Sequence, residues 1–439
     1  MHNHNKTSRY TAVKGNILYF TEDPRTRGEK AWHHHPDGIL IIENGFVHFA
    51  GDPSESPVPE EEVTTWHDYS GKLVMPGFVD THVHPPQLPI IASNSTELLH
   101  WLDTYTFPEE GRFADSEVCR EGAVHFFDET LKNGTTTSLA MATVHTESAD
   151  ALFREAERRN LRFITGKTLM DTNAPDFLTD TPESGFDESL SLIRRWHGKG
   201  RLGYAVTPRF AVTSTPEQLE AAGELMKQAD DLLMHTHLSE NHEEIQTVRK
   251  LFPKAKHYLD AYDRFGLVGN RSVFAHAIHL RDEESERLAE SKAAISFCPS
   301  SNLFLGSGLF RMDNAERHGI PVGIGSDVGG GTSFSQLHTM AEGFKVCQLC
   351  RTPFSATTAF YLATLGGARS LGLEKSIGSF TKGAEADFIV IDPEATPLAA
   401  RRCSRTETLE ELLFVLMILG DDRFIKATHV MGKPAYTRP

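Results

Sequence analysis

Read for the spacing of its apolar positions, the chain falls into three stretches. Up to about Lys72 it reads as strands, and residues 38–50 carry Asn44-Gly45 between two apolar runs, which predicts a tight hairpin. From Val74 to about Gly372 the pattern changes to short apolar runs alternating with amphipathic segments, the mark of repeated strand–helix units and a parallel sheet. Eight such runs are predicted, at residues 78–84, 135–144, 162–170, 202–210, 232–238, 272–276, 293–298 and 321–326. Helix signals fall between them. Thr215 is an N-cap candidate with Pro216 at the first helical position and Gln218 completing a capping box, and Asn133-Gly134 stops the helix that begins near Asp115. Eight units closing on themselves make a (β/α)8 barrel, in which reactive side chains sit at the C-terminal ends of the strands. After Leu373 the chain returns to strands at 386–391 and 427–431, expected to join the N-terminal strands in one small β-sandwich domain. The predicted division is therefore 74–373 for the barrel, with 1–73 and 374–439 forming the small domain, an inserted helix at 408–419 included. That helix is amphipathic to fully apolar and reads either as packing within the monomer or as a subunit contact.

Composition narrows the function. At 439 residues the chain is long enough for a large domain and a smaller one. A formal net charge of −16 argues against a nucleic-acid polymer as partner, because backbone binding needs a basic face, and leaves a small, neutral substrate open. Five cysteines, scattered apart from Cys347 and Cys350, give no disulfide framework and suit a reducing cytoplasm. Residues 1–6 lack the apolar core of an export signal, and the longest apolar run, 412–419, is far short of the ~20 residues a membrane span needs. A soluble protein without a membrane partner is expected.

Candidate chemistry sits at predicted strand ends. His82 and His84 close the first apolar run, and spacing by one residue on a strand puts both imidazoles on one face, where a metal can be gripped from one side. His-x-His alone is weak evidence among 22 histidines, as His2-x-His4 illustrates. The partners downstream give it weight. His237 offers a third nitrogen, and Glu240, just past the same strand, points into the same mouth as a proton carrier. His235 shares that strand face deeper down and reads as structural. His276 ends the sixth run, and Asp327 puts a carboxylate at the rim after the eighth, suited to ligate a metal and to act as base. Three imidazoles and one carboxylate with a position left for water is the composition of a catalytic zinc site, in which the metal lowers the pKa of its bound water to about 7. A hydrolytic reaction follows. Whether His276 meets the metal or only its water stays open.

Several of these segments, Pro76-Gly-Phe-Val-Asp-Thr-His-Val-His84, Gly134-Thr-Thr-Thr137, His237-Leu-Ser-Glu240, Ala275-His276, Pro299-Ser-Ser-Asn302 and Ser326-Asp327, together resemble the amidohydrolase superfamily. Within it, Gln87 after two prolines, Thr207-Pro-Arg209-Phe210, Leu305-Gly-Ser-Gly-Leu309 and Leu419-Gly-Asp-Asp-Arg423 are similar to the guanine deaminases, over nearly the whole chain. The resemblance implies a metal-dependent hydrolase barrel that converts guanine and water to xanthine and ammonia. By that resemblance His82, His84, His237 and Asp327 bind one zinc ion, with iron as the other metal that accepts such donors, while Glu240, His276 and Asp327 handle water and protons. The substrate would meet Gln87, Arg209, Phe210, His237, Glu240 and Asp327. Metal-bound hydroxide would attack the purine C2 while Glu240 protonates a ring nitrogen. Arg209 is a donor fork suited to a keto oxygen and its neighbouring ring nitrogen, Gln87 can donate and accept, and Phe210 can flank the flat ring. A barrel-mouth ion pair for Arg209 and core packing for Phe210 are the plainer readings. A homodimer is expected.

Other designs fit less well. The cytidine-deaminase pattern, His-x-Glu followed by Pro-Cys-x-x-Cys, is echoed by His145-Thr-Glu147 and Cys347-Gln-Leu-Cys350, but Val346 stands where proline is required. A two-metal site would need a lysine at the end of the fourth strand, where this chain has Thr207-Pro-Arg209, and Lys167 lies one strand too early. Deamination of another aminated ring, such as a triazine, pterin or modified purine, is the alternative within the superfamily, and a non-catalytic binding relative the alternative outside it.

Overall fold

The computed structural model of the protein describes residues 10–94 and 97–439, so the first six residues, with the export-signal reading and the His2/His4 pair that fall on them, lie outside the described residues. Four strands come first: β1 (Tyr10–Phe20), β2 (Trp32–Glu43), β3 (Phe46–Gly51) and β4 (Val63–Pro76). Asn44 and Gly45 take φ values of 55° and 88°. Two successive left-handed residues give the turn whose twist matches the flanking strands, and β2 and β3 pair antiparallel across it. Both faces of this sheet are packed. Leu40 and Ile42 meet Val13, Ile17, Val74 and Phe388 on one side, and Ile39 and Ile41 meet Tyr10 and Ala12 on the other.

The barrel strands follow: β5 (Phe78–Val83), β6 (Thr135–Met141), β7 (Arg162–Gly166), β8 (Thr168–Leu169), β9 (Leu202–Pro208), β10 (Leu233–Leu238), β11 (Ser272–His276), β12 (Ala294–Phe297) and β13 (Val322–Ile324). They pair in parallel in that order, β8 carrying the third strand on alongside β9 after the break at Lys167. Nearly every strand residue is buried, because helices cover one face and the barrel core the other. That is why these runs are continuously apolar rather than alternating. The ring closes beyond β13, where the Asp327 N–H donates to the His82 carbonyl at 2.9 Å and the His84 N–H to the Val328 carbonyl at 2.8 Å. Each of the eight predicted runs contains an observed strand, the third in two pieces.

Then β14 (Phe388–Ile391), β15 (Ile425–Val430) and β16 (Lys433–Thr437) rejoin the first sheet, whose order is β16-β15-β14-β4-β1-β2-β3. It is a mixed sheet drawn from both chain ends, because β1 and β4 run parallel while their outer neighbours run antiparallel. Only Gly77 separates β4 from β5. A Cβ there would lie 2.1 Å from Thr136 Oγ1, so glycine lets the chain step from one sheet to the other. At the barrel end opposite the site, Arg162 and Arg201 pair with Glu385 just before β14, and Arg201 also with Asp387.

The helix that stops at Asn133-Gly134 behaves as predicted: Asp115 caps Ser116–Lys132, and Gly134 follows at φ 82°. One capping detail differs. Thr215 does accept from the Gln218 N–H at 3.2 Å, but the Gln218 side chain donates to Asp180 at 2.9 Å, and the Thr215 N–H is satisfied by Asp171 at 2.8 Å. A carboxylate from a neighbouring segment offers a stronger acceptor than an amide and takes over that half of the box. The apolar helix spans Leu409–Leu419, capped by Thr408, with Leu413, Val415, Leu416 and Met417 buried. No helix among the described residues is long and apolar enough to cross a membrane.

Candidate active site

Strand ends deliver the polar side chains to the mouth of the barrel. His82 lies on β5 with His84 just past its end, His237 on β10, Glu240 two residues beyond that strand, His276 at the last position of β11, and Asp327 after β13. Ser239, His276 and Asp327 hold positive φ of 48°, 67° and 49°. Left-handed backbone at non-glycine residues costs about 1–3 kcal/mol each and persists only where the surroundings enforce it. Here the side chains of His276 and Asp327 line the mouth.

Four donor atoms converge. His82 Nε2 lies 3.2 Å from His84 Nε2 and 3.1 Å from Asp327 Oδ1, and His84 Nε2 lies 3.2 Å from the same oxygen and 3.3 Å from His237 Nε2. Donors held about 2.0–2.1 Å from a tetrahedral ion sit roughly 3.3 Å from one another, so this set matches the edges of such a site. Imidazole nitrogens do not face each other at these distances through their lone pairs without a shared cation or proton. The tautomers agree. His237 Nδ1 donates to the Arg209 carbonyl at 2.7 Å, which leaves the Nε2 lone pair facing the cluster. His82 Nδ1 meets His235 Nε2 at 2.7 Å, so His235 stands behind a ligand-type nitrogen rather than in the cluster. The residues present fit a divalent cation.

His276 sits differently. Its Nε2 is 3.4 Å from Glu240 Oε2 and 3.7 Å from Asp327 Oδ2, and its Nδ1 contacts Asn302 Oδ1 at 2.8 Å. Its donor atom also falls within 4.8 Å of those of His82, His237 and Asp327. Two groupings therefore overlap, one with His84 and one with His276. The shorter distances favour His84, because His276 is flanked by two carboxylates. Burial alone would lower the His276 pKa, but Glu240 and Asp327 outweigh it and hold it above its ordinary value. Burial pushes Glu240 up to about 7, against the opposing pull of His276. Its Oε1 also accepts from Ser307 Oγ at 3.0 Å. A carboxyl poised near neutrality is suited to take and return a proton.

A cavity opens over the cluster, walled by Gln87, Arg209 and Phe210 and roofed by Leu98, Trp101 and Leu102. Arg209 Nη1 donates to Glu110 Oε2 at 2.7 Å, and the Phe107 ring lies 5.5 Å from its guanidinium. The ion pair read from the sequence is present, and Arg209 also lines the cavity. Phe210 is buried, with its ring 6.3 Å from that of His237.

The chain belongs to the amidohydrolase family. The family model matches residues 73–434. The guanine deaminase of Escherichia coli K12 is 49% identical over 402 residues, covering 92% of each chain. A solved structure of E. coli guanine deaminase superposes with a TM-score of 0.95 at 47% identity, covering 98% of this chain and 100% of the other. The guanine deaminase of C. acetobutylicum, solved with guanine bound in its active site, has a TM-score of 0.88 at 28% identity, covering 97% and 100%.

In this amidohydrolase the residues predicted to form the site come together in the donor cluster and the cavity above it, and three features went unread. Glu110 is buried behind Gln87 and Arg209. Asp80, pushed up to about 7 by burial, accepts from the Ser326 N–H at 2.9 Å and so ties β5 to the loop that carries Asp327. The roof residues open the helical segment that runs from Leu98 to Gly111 beyond β5, where a run of leucines and Trp101 reads as ordinary packing. The other two designs find no support in the geometry. Lys167 Nζ pairs with Asp180 at 2.5 Å and with Glu188 at 3.3 Å. Cys347 is buried in helix Gln336–Leu349, and among the described residues His145, Cys347 and Cys350 do not come together as a group that could hold a metal.

Proposed function

We propose that the chain hydrolyses guanine to xanthine and ammonia, with His82, His84, His237 and Asp327 holding one zinc ion. The observation that carries this reading is the placement of Glu240, with its raised pKa, in the same cavity as His84, His237 and Asp327 of the donor cluster and as Gln87 and Arg209. When bound, the metal supplies Lewis acidity and a water acidic enough to ionise near pH 7.

Everything else is work for the chain. Glu240 takes a proton from the attacking water and delivers it to the ring nitrogen beside C2, so that C2 becomes tetrahedral without charge building up on the ring. His276, held between Glu240 and Asp327, positions the incoming oxygen. The remaining hydroxyl proton passes to the exocyclic amino group, the C2–N bond breaks, and ammonia and xanthine result. Arg209 directs donors at the keto edge, Gln87 adds a further donor, and Phe210 borders the ring face. Water exclusion under Leu98, Trp101 and Leu102 strengthens each of these contacts. The guanine seen in the active site of the C. acetobutylicum relative supports guanine as the ligand.

Ammonia release measured side by side on guanine, adenine, cytosine and melamine tests the assignment. Turnover of guanine far above the others is expected, and silence on guanine overturns it. Metal analysis of the purified protein should return one zinc per chain. We further propose a cytoplasmic homodimer, which the exposed Leu349 and Leu398 support. A monomeric mass in light scattering would overturn the dimer.

A further inference from the structure

Glu110 lines neither the donor cluster nor the cavity, yet both residues of the specificity wall end on it. It lies in helix Phe107–Gly111, fully buried. Its Oε1 accepts from Gln87 Nε2 at 2.8 Å and its Oε2 from Arg209 Nη1 at 2.7 Å. We infer that Glu110 is a positioning residue that sets substrate preference by turning Gln87 and Arg209 into a wall of hydrogen-bond donors. The inference rests on the guanine-deaminating reading.

The argument is one of donor and acceptor inventory. An ionised carboxylate only accepts and a backbone N–H only donates. Gln87 is held between these two, its nitrogen on Glu110 and its oxygen taking the Gly329 N–H at 3.2 Å. The flipped amide would set oxygen against oxygen and N–H against N–H, so one orientation is enforced. What Gln87 has left to offer first is its second N–H. Arg209 has no acceptor at all, and one arm of its fork is spent on Glu110. A purine with an oxo group at its six-membered ring meets donors with an acceptor. An amino group in the same place brings donors against donors and leaves buried groups unpaired, which discriminates strongly. The carboxylate also neutralises the buried guanidinium, whose charge would otherwise stand uncompensated beneath a neutral substrate.

Replacing Glu110 by glutamine keeps the shape and removes the rule. The new side-chain amide would offer both an oxygen and a nitrogen, so Gln87 would be free to turn its oxygen toward the cavity. Guanine and 2,6-diaminopurine share the 2-amino group that leaves and differ at the edge formed by position 6 and N1, oxo with N1–H in one and amino with a bare N1 in the other, so the ratio of their kcat/KM values reads this wall. For Glu110→Gln we expect that ratio to fall by about tenfold or more, with KM for guanine rising and kcat little changed. Arg209→Gln and the charge-neutral double variant Glu110→Gln/Arg209→Gln complete the cycle, and the double variant avoids a lone buried charge if the single one folds poorly. Because Glu110 acts on Arg209 as well as on Gln87, the share carried by Arg209 vanishes in the double variant, whose loss should fall clearly below the product of the two single losses. A ratio unchanged in Glu110→Gln, or losses that multiply in the double variant, overturns the inference while leaving the function intact. A wild-type chain silent on guanine overturns both.

Discussion

The carbonyl oxygen of Arg209 accepts the Nδ1 hydrogen of His237 at 2.7 Å, so a residue that lines the cavity also fixes the tautomer of a residue in the donor cluster. Cavity wall and donor cluster are one hydrogen-bonded unit, joined where the ends of β9 and β10 lie side by side.

Glu240 is the proton carrier in the proposed reaction. Glu240→Gln preserves its volume and its contact with Ser307 but cannot accept a proton. Turnover of guanine should fall by about a hundred- to ten-thousandfold while metal content stays at one per chain. Near-wild-type turnover would remove Glu240 from the chemistry, and loss of metal would make its role structural.

His235 holds the outer nitrogen of His82 at 2.7 Å. In His235→Leu that nitrogen loses its partner inside a buried, apolar site. Metal affinity, read by competition with a chromogenic chelator, should weaken by about 10–100-fold. Unchanged affinity would show that the strand alone orients His82.

Gly325 sits where a Cβ would lie 2.5 Å from Ser296 Oγ and 2.9 Å from His82 Cβ. Gly325→Ala must therefore displace His82 or the strand that carries it. A loss of about 1–3 kcal/mol in denaturant unfolding is expected, together with substoichiometric metal. Full metal occupancy at wild-type stability would contradict this.

The Glu385 carboxylate is held below its ordinary value of 4.5: burial opposes ionisation, and Arg162 and Arg201 more than reverse it. The ionised form is thus favoured by folding. The resulting stability is present at every pH above 4.5 and is lost as the pH falls through the lower folded value. Asp387 shares Arg201 but is pushed up by burial, which gives a slope of opposite sign, so the comparison must isolate Glu385. Glu385→Gln should cost about 1–3 kcal/mol at pH 7, because it leaves the half-buried Arg162 guanidinium without a carboxylate and Arg201 with Asp387 alone. The gap to wild type should narrow below pH 4. A gap that is constant with pH would show that packing, not charge, was lost.

How far the sequence foretold this molecule depends on the range of the interaction concerned. The eight barrel strands were legible because burial on both faces leaves continuous apolar runs, and the Asn44-Gly45 turn because its backbone demands those residue types. The site residues were legible because they fall at the ends of such runs, where the next residue has to leave the sheet. Glu110 was not legible. A glutamate in a Pro-Glu-Glu segment looks like any solvated helix start, and only the fold over the mouth brings it under Gln87 and Arg209. The half-broken box at Thr215 has the same origin, since Asp171 and Asp180 arrive from segments that local spacing cannot see. Asp80 belongs with them, its importance lying in a loop near the far end of the barrel sequence.

The seam between the first and last staves of the cylinder runs through the His82 carbonyl, the His84 amide and the Asp327 amide. Cargo gripped by the side chains of these same three residues would pull that joint shut from within. Emptying the cup and prising open the cylinder are then the same event, so stripping the ion should make this end of the molecule the first to fray.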